Sequence, residues 1–188
     1  MGLSKKEIKK MILEERKLNI GPDTFGHNIY ISLTKNPCYL RCKFLKHMRY
    51  FQYYSSRYEK KKSDLLALIK LLYHSRRANK YGSILNYEIC GTNIGAGLVL
   101  FHGGPIVIHK KAIIGKNVKF HGDNCVGNNG ITDECPIIGD GVDIGVGAKI
   151  IGNITIASGI KIGAGSVVVS SFIEEGAVIA GVPAKKIR

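Results

Sequence analysis

The chain has 188 residues, with 28 Lys or Arg against 14 Asp or Glu, a formal charge of +14, 45% hydrophobic residues and a mean hydropathy of +0.02. That length is one domain with a modest extension, and the balance excludes both a disordered chain and a membrane bundle. No apolar run approaches the roughly 20 residues of a membrane helix, MGLSKKEIKK has no apolar signal core, and five irregularly spaced cysteines do not suit a secreted disulfide scaffold, so a reducing cytoplasm is expected.

The halves differ. Residues 1–84 hold 19 basic and 6 acidic side chains, whereas 85–188 hold 9 and 8; glycine runs the other way, with 19 of 23 after position 84. This predicts a basic α-helical region over 1–84 and a separate architecture over 85–188. No Pro/Ser-rich linker lies between, so the two are expected to pack together.

Ser4-Lys5-Lys6-Glu7 has the capping-box pattern, in which the hydroxyl and the carboxylate each satisfy a free backbone N–H. Ile8, Met11 and Ile12 follow at helical spacing, and Gly21-Pro22 is expected to end that helix. A second helix is expected over about Tyr39 to Tyr58. A third begins near Ser63, with Leu65, Leu68, Ile69, Leu72 and Tyr73 as one apolar stripe and Gly82 as its C-cap.

From there the period changes. Ile138, Ile144, Ile150, Ile156, Ile162 and Val168 step by six, mostly followed by Gly or Ala, with Val142, Ala148, Ile154, Ile160, Ser166 and Phe172 four places after each anchor. This is the hexapeptide repeat of a parallel β-helix: each hexapeptide makes one short strand and a turn, and three make a triangular coil. Stacked anchors, about 4.8 Å apart, fill the prism. Ile108, Ile114, Phe120 and Val126 continue the ladder upstream. Two interruptions stand out: an eight-residue step from Leu100 to Ile108, containing His102-Gly103-Gly104, and an extruded loop at about 127–136. A regular lattice broken at two points directs functional attention to those points.

The ladder, the segments His102-Gly103-Gly104-Pro105-Ile106-Val107-Ile108 and Pro136-Ile137-Ile138-Gly139-Asp140-Gly141-Val142, and the ending Ala180-Gly181-Val182-Pro183-Ala184-Lys185-Lys186-Ile187 resemble the left-handed β-helix acyltransferases. Within them the sequence is most similar to the serine acetyltransferase-like branch, which includes sugar and polysaccharide O-acetyltransferases. The resemblance covers about 84–188. It implies a mainly β, left-handed parallel β-helix, a homotrimer with sites between neighbouring prisms, and acetyl-CoA as co-substrate.

In that resemblance His102 is the general base, a role imidazole suits because its pKa lies near neutrality. Glu88 takes the place of the carboxylate that orients the base, once one residue is deleted. Val146 and Ala164 would meet the pantetheine arm through their backbone, and Lys185 and Arg188 the phosphates, with Lys186 spare; a solvated basic tail is the plain alternative. His121, Glu134 and Cys135 are assigned to the acceptor. His121 could equally be a surface histidine and Cys135 a passive loop cysteine, while His109 reads as exposed.

The serine enzymes carry a second Asp–His pair and an acceptor-holding Arg; the matching positions here are Phe101, Cys135 and Glu134. An anion at Glu134 would repel a carboxylate. The chain is also expected to lack the tail that follows the final segment in those enzymes. On these grounds the acceptor is expected to be a sugar or polysaccharide precursor, with L-serine the alternative and a non-catalytic basic module the remote one. Lys60-Lys61-Lys62 and Arg76-Arg77, interleaved with tyrosines, suit solvated helix faces, an anionic membrane surface at the inner face of the membrane, or acidic polysaccharide; no nucleic-acid motif is present. Cys38 and Cys42 lack a second ligand pair, so no metal is expected.

Overall fold

A computed structural model describes residues 4–20, 24–89 and 93–188. The chain divides into two compact units, Met1–Leu85 and Asn86–Arg188.

The first unit contains α1 (Lys5–Ile20), α2 (Phe25–Leu33), α3 (Pro37–Lys60) and α4 (Leu65–Leu85). The capping box forms: Ser4 N donates to Glu7 Oε2 at 2.6 Å, and Glu7 N donates to Ser4 Oγ at 3.3 Å. Those two bonds hold the Glu7 carboxyl below its ordinary value. Gly21-Pro22 lies outside the described residues. Helix α2 has no counterpart in the sequence reading, because its run of Phe25, Ile29, Tyr30, Ile31 and Leu33 lacks a clear period, and only Ile31 is buried. At the start of α3, Asn36 caps Cys38 N at 2.9 Å with Pro37 in the first turn, where a missing N–H costs nothing.

Helix α4 departs from its expected orientation. Leu65, Ile69, Leu72 and Tyr73 are largely exposed, and the buried positions are Ala67, Gly82 and Leu85. Gly82 lies inside the helix rather than after it. The physical reason is the α3–α4 interface, which is built from rings rather than from a leucine seam. His47 and His74 meet Nδ1 to Nδ1 at 2.9 Å, and Tyr50, Tyr54 and Tyr81 stack on one or other of them. Rings this broad displace the aliphatic stripe. On the other side of α3, fully buried Arg49 donates through Nε to both carboxylate oxygens of Glu15 at 3.1 Å and through Nη1 to Gln52 Oε1 at 2.7 Å, so this charge is enclosed with partners on all sides.

The second unit is a parallel β-helix. Its strands are β1 (Tyr87–Ile89), β2 (Val99–Leu100), β3 (Ile106–Ile108), β4 (Ile113–Ile114), β5 (Lys119–Phe120), β6 (Asn124–Gly127), β7 (Ile137–Ile138), β8 (Asp143–Ile144), β9 (Lys149–Ile151), β10 (Thr155–Ile156), β11 (Lys161–Ile162), β12 (Val167–Val168), β13 (Val178–Gly181) and β14 (Ala184–Lys186). They form three sheets ordered β1-β3-β6-β9-β12, β10-β7-β4 and β14-β13-β11-β8-β5-β2, here the first, second and third. Every pairing is parallel except the closing β13–β14 ribbon. Anchors stack in columns: Ile108, Val126, Ile150 and Val168; Ile114, Ile138 and Ile156; Leu100, Phe120, Ile144, Ile162 and Ile179. All are buried. Phe172 pairs with Ile156 and extends the second column, so it acts as an anchor rather than as a residue four places after one. The corners require small residues: a side chain on Gly145 would stand 2.7 Å from Ala164 N and Ile162 O.

The histidine pair yields a pH prediction for the helical unit. Burial first, then neighbouring cations (His74, Arg77, Lys46 and Lys43 for His47; Lys46 and Lys70 for His74), hold both imidazoles down at about 4. An unfolded histidine titrates near 6.5. As pH falls from about 6.5 to about 4, the unfolded chain takes up protons that the folded helices refuse. Stability is therefore unaffected by this pair above that window and declines through it. Thermal melts followed by far-UV circular dichroism should show Tm falling across the window, and His74→Phe should flatten that slope.

Candidate active site

Both irregular segments lie at corners of the prism. The chain passes from third to first to second sheet, so each coil has one corner between the third and first sheets and another between the first and second. The bulge 101–105 is the first corner of its coil, and the loop that leaves after Gly127 and rejoins at Pro136, whose carbonyl accepts from Ile113 N at 3.1 Å, is the second corner of the next.

The first corners stack into an edge. A side chain on Gly122 would stand 3.6 Å from His102 Cβ; Gly147 N donates to Gly122 O at 3.0 Å, and Gly165 N donates to Val146 O at 2.8 Å. His102, His121, Val146 and Ala164 thus follow one another down this edge, and Gly181 joins it through a 3.3 Å bond to Ser166 Oγ. His102, Val146 and Ala164 are exposed, and His121 is half-buried. The Gly103-Gly104 pair beside His102 is open: a side chain at either would meet nothing within 4 Å, although Gly104, at φ +126°, could not accommodate one without strain. Tyr87 Oη donates to the His102 carbonyl at 2.8 Å and so fixes the backbone of the bulge.

His121 has a partner that the sequence reading did not find. Its Nε2 stands 2.8 Å from Asp143 Oδ1, and its ring stacks on Phe101 with centroids 4.5 Å apart and planes at 27°. Asp143 also has Lys119 Nζ at 3.8 Å. The register β5–β8 aligns Lys119 with Asp143 and Phe120 with Ile144, and places His121 directly after that pair. The extruded loop separates β5 from β8 along the chain, so no simple spacing in the sequence signals this pair.

Asn124 is a second group of this kind. It is buried inside the prism, where its Oδ1 accepts from Gly122 N at 2.9 Å and its Nδ2 donates to Gly145 O at 2.8 Å. It ties the His121 corner to the Val146 corner. An Asn two residues before the anchor Val126, and so on the same inward face, was the available signal, because a buried polar group must have partners.

Glu88 does not join His102. The register β1–β3 sets Glu88 beside Val107, on the outer face of the first sheet, and no hydrogen bond or ion pair links the two among the described residues. Glu88 instead helps line a cavity of about 400 Å3 with Val107, His109, Lys110, Cys125 and Ile151. His109 belongs to this second locus and is not simply exposed: its Nδ1 lies 2.9 Å from Cys135 Sγ and accepts from Lys111 N at 3.2 Å. Burial raises the Cys135 pKa, which keeps it a thiol. Glu134 accepts from Asn153 Nδ2 at 3.0 Å, and Lys111 pairs with Asp133 at 2.7 Å, holding that carboxyl below its ordinary value. Glu134 and Cys135 thus lie with the loop at the second corner, away from the edge that carries His102.

At the terminal ribbon, Lys186 pairs with Glu174 at 2.6 Å, while Lys185 and Arg188 are exposed with no ion pair among the described residues. The two cations expected to meet phosphate are the two left uncommitted. Among the described residues no group of three or more His, Cys, Asp or Glu could hold a metal ion, and no helix is long and apolar enough to cross a membrane.

No family model matches the chain. It is 42% identical over 99 residues to a serine acetyltransferase of Buchnera aphidicola, a match covering 51% of this chain and 38% of that protein. The chain thus matches well under half the length of that curated relative. Among solved structures it resembles soybean serine acetyltransferase complexed with serine (TM-score 0.67, 27% identity, 97% of this chain and 70% of that one) and serine acetyltransferase of Brucella abortus in complex with coenzyme A (TM-score 0.66, 25% identity, 97% and 68%). The unit is a left-handed β-helix of the hexapeptide-repeat acyltransferase type. These likenesses overturn the expectation of a sugar or polysaccharide acceptor: the relatives named here on both sequence and structure are serine acetyltransferases.

Asn124→Ala should leave Gly122 N and Gly145 O without their buried partner. We expect a loss of about 1–3 kcal/mol in urea unfolding, with Asn124→Asp recovering less than the wild-type stability because it cannot donate to Gly145 O.

Proposed function

We propose that the chain is an acetyl-CoA-dependent O-acetyltransferase whose acceptor is the hydroxyl of L-serine. The observation that carries this reading is the edge itself: an exposed imidazole, His102, on an open diglycine bulge, in line with the corners of Val146 and Ala164, in a chain whose relatives are named for this reaction. The pantetheine arm would lie along Val146 and Ala164, where small neighbours admit it, and the phosphates would meet Lys185 and Arg188. The Val146 carbonyl already accepts from Gly165 N, so the arm would use other backbone groups there.

His102 removes the serine hydroxyl proton as the oxygen attacks the thioester carbonyl. The tetrahedral adduct collapses with rupture of the C–S bond. The coenzyme leaves as thiolate and takes the proton back from the imidazolium, giving O-acetylserine and free thiol. In one chain His102, Val146 and Ala164 are exposed along this edge, and we propose that a homotrimer closes the site between adjacent prisms. Glu88, Glu134 and Cys135 lie at another part of the prism in the single chain, and no catalytic step is assigned to them.

Release of coenzyme A thiol from acetyl-CoA, with L-serine as the acceptor, tests this reading. His102→Ala should lower kcat by about 10²- to 10⁴-fold, the usual contribution of a general base. A near-normal rate would remove His102 from the role, and absence of turnover in the wild-type chain would remove serine as acceptor.

A further inference from the structure

The edge that carries His102 carries a second imidazole, and this is the one with a carboxylate. Phe101, preceding His102, stacks on His121; the backbone after His121 lies beside His102, where a side chain on Gly122 would stand 3.6 Å from His102 Cβ; and Asn124 holds that corner from inside. His121 cannot turn freely: one face is covered by Phe101, and Nε2 is held by Asp143. With Asp143 ionised, Nε2 carries the proton and donates it. Nδ1 then bears a lone pair, with no partner among the described residues, on a ring half-open to solvent.

Resting on the serine reading above, we propose that His121, oriented by Asp143, is the acceptor-recognising residue of the site. Its Nδ1 accepts a hydrogen bond from the α-ammonium of L-serine while the hydroxyl lies against His102. The chemical class recognised is a hydroxyl with an adjacent ammonium. Asp143 is a positioning residue, acting through His121. The charged groups aligned with it are Lys119, at 3.8 Å from Asp143, and Lys161 of the neighbouring strand β11, so the carboxylate stands in a row of cations. Glu134 lies with the loop at the other corner, paired with Asn153, so this recognition does not draw on it.

The test compares L-serine with 3-hydroxypropanoate, which keeps the hydroxyl and carboxylate and lacks the ammonium. In His121→Ala the KM for L-serine should rise about 10- to 100-fold, the loss expected for a hydrogen bond to a charged group, with the KM for acetyl-CoA unchanged and the preference for L-serine over 3-hydroxypropanoate abolished. Asp143→Asn should raise the L-serine KM in the same direction by a smaller factor. His121→Asn, whose amide oxygen can stand near the Nδ1 position, should recover part of it. An L-serine KM within twofold of wild type in His121→Ala, or an intact preference, overturns the proposal. A readout independent of turnover is the ¹⁵N shift of His121 Nδ1 in the full wild-type chain with coenzyme A present: L-serine should move it and 3-hydroxypropanoate should not. If that shift occurs without turnover, the serine transfer reading fails and the recognition stands; if L-serine leaves Nδ1 unmoved, the recognition fails even where turnover is found.

Discussion

The β-helix depends on the vertical stacking of aliphatic anchors. Each two- to four-residue strand is far too short to persist alone, and it exists because its anchor buries against the anchors above and below while its backbone bonds to neighbouring coils. Stacking in register also aligns the corners. Once Leu100, Phe120, Ile144, Ile162 and Ile179 form a column, the residues that follow them form one too: Phe101, His121, Gly145, Gly163 and Ala180. The edge proposed as a site is thus a consequence of the core.

That column is bulky at one end and small at the other. Phe101 and His121 stack as a pair of rings, whereas Gly145 could not bear a side chain against the backbone of the next coil, nor Gly163 against Ala180 Cβ. Chemistry-bearing groups gather where the prism is irregular, and close backbone packing prevails where it is regular. A long, thin ligand can lie against the smooth part with its reactive end at the imidazoles. Asn124 belongs to the same logic: it is a buried polar group with partners, placed where two corners must keep their spacing, and buried Ser166 similarly accepts from Gly181 N.

The two units are stabilised by different means. The prism interior is mainly aliphatic, with its charges outside and nearly balanced. The helical unit carries almost all the excess positive charge, buries Arg41, Arg49, Glu15 and His47, and packs His47 with half-buried His74 among tyrosines. Its interface is therefore sensitive to protonation. Its leucine-rich stripe on α4, which periodicity alone assigns to the core, points outward because ring stacking decided which face of the helix is buried.

Periodicity was sufficient to reveal the ladder, the bulge at His102 and the loop before Pro136, because a six-residue repeat is local and any break in it is visible along the chain. The capping box was legible for the same reason. Helix α2 was missed for want of a period, and the facing of α4 was misjudged because amphipathicity names a face without naming its partner. Pairings across coils were beyond reach. His121 meets Asp143 only because a loop is extruded between them and their strands nevertheless align, and Glu88 lies beside Val107 rather than His102 because β1 pairs with β3 in one particular register. Residue order carries the repeat; which side chains become neighbours is settled by how many residues each corner discards before the next anchor returns to its column, and that is a property of the folded stack.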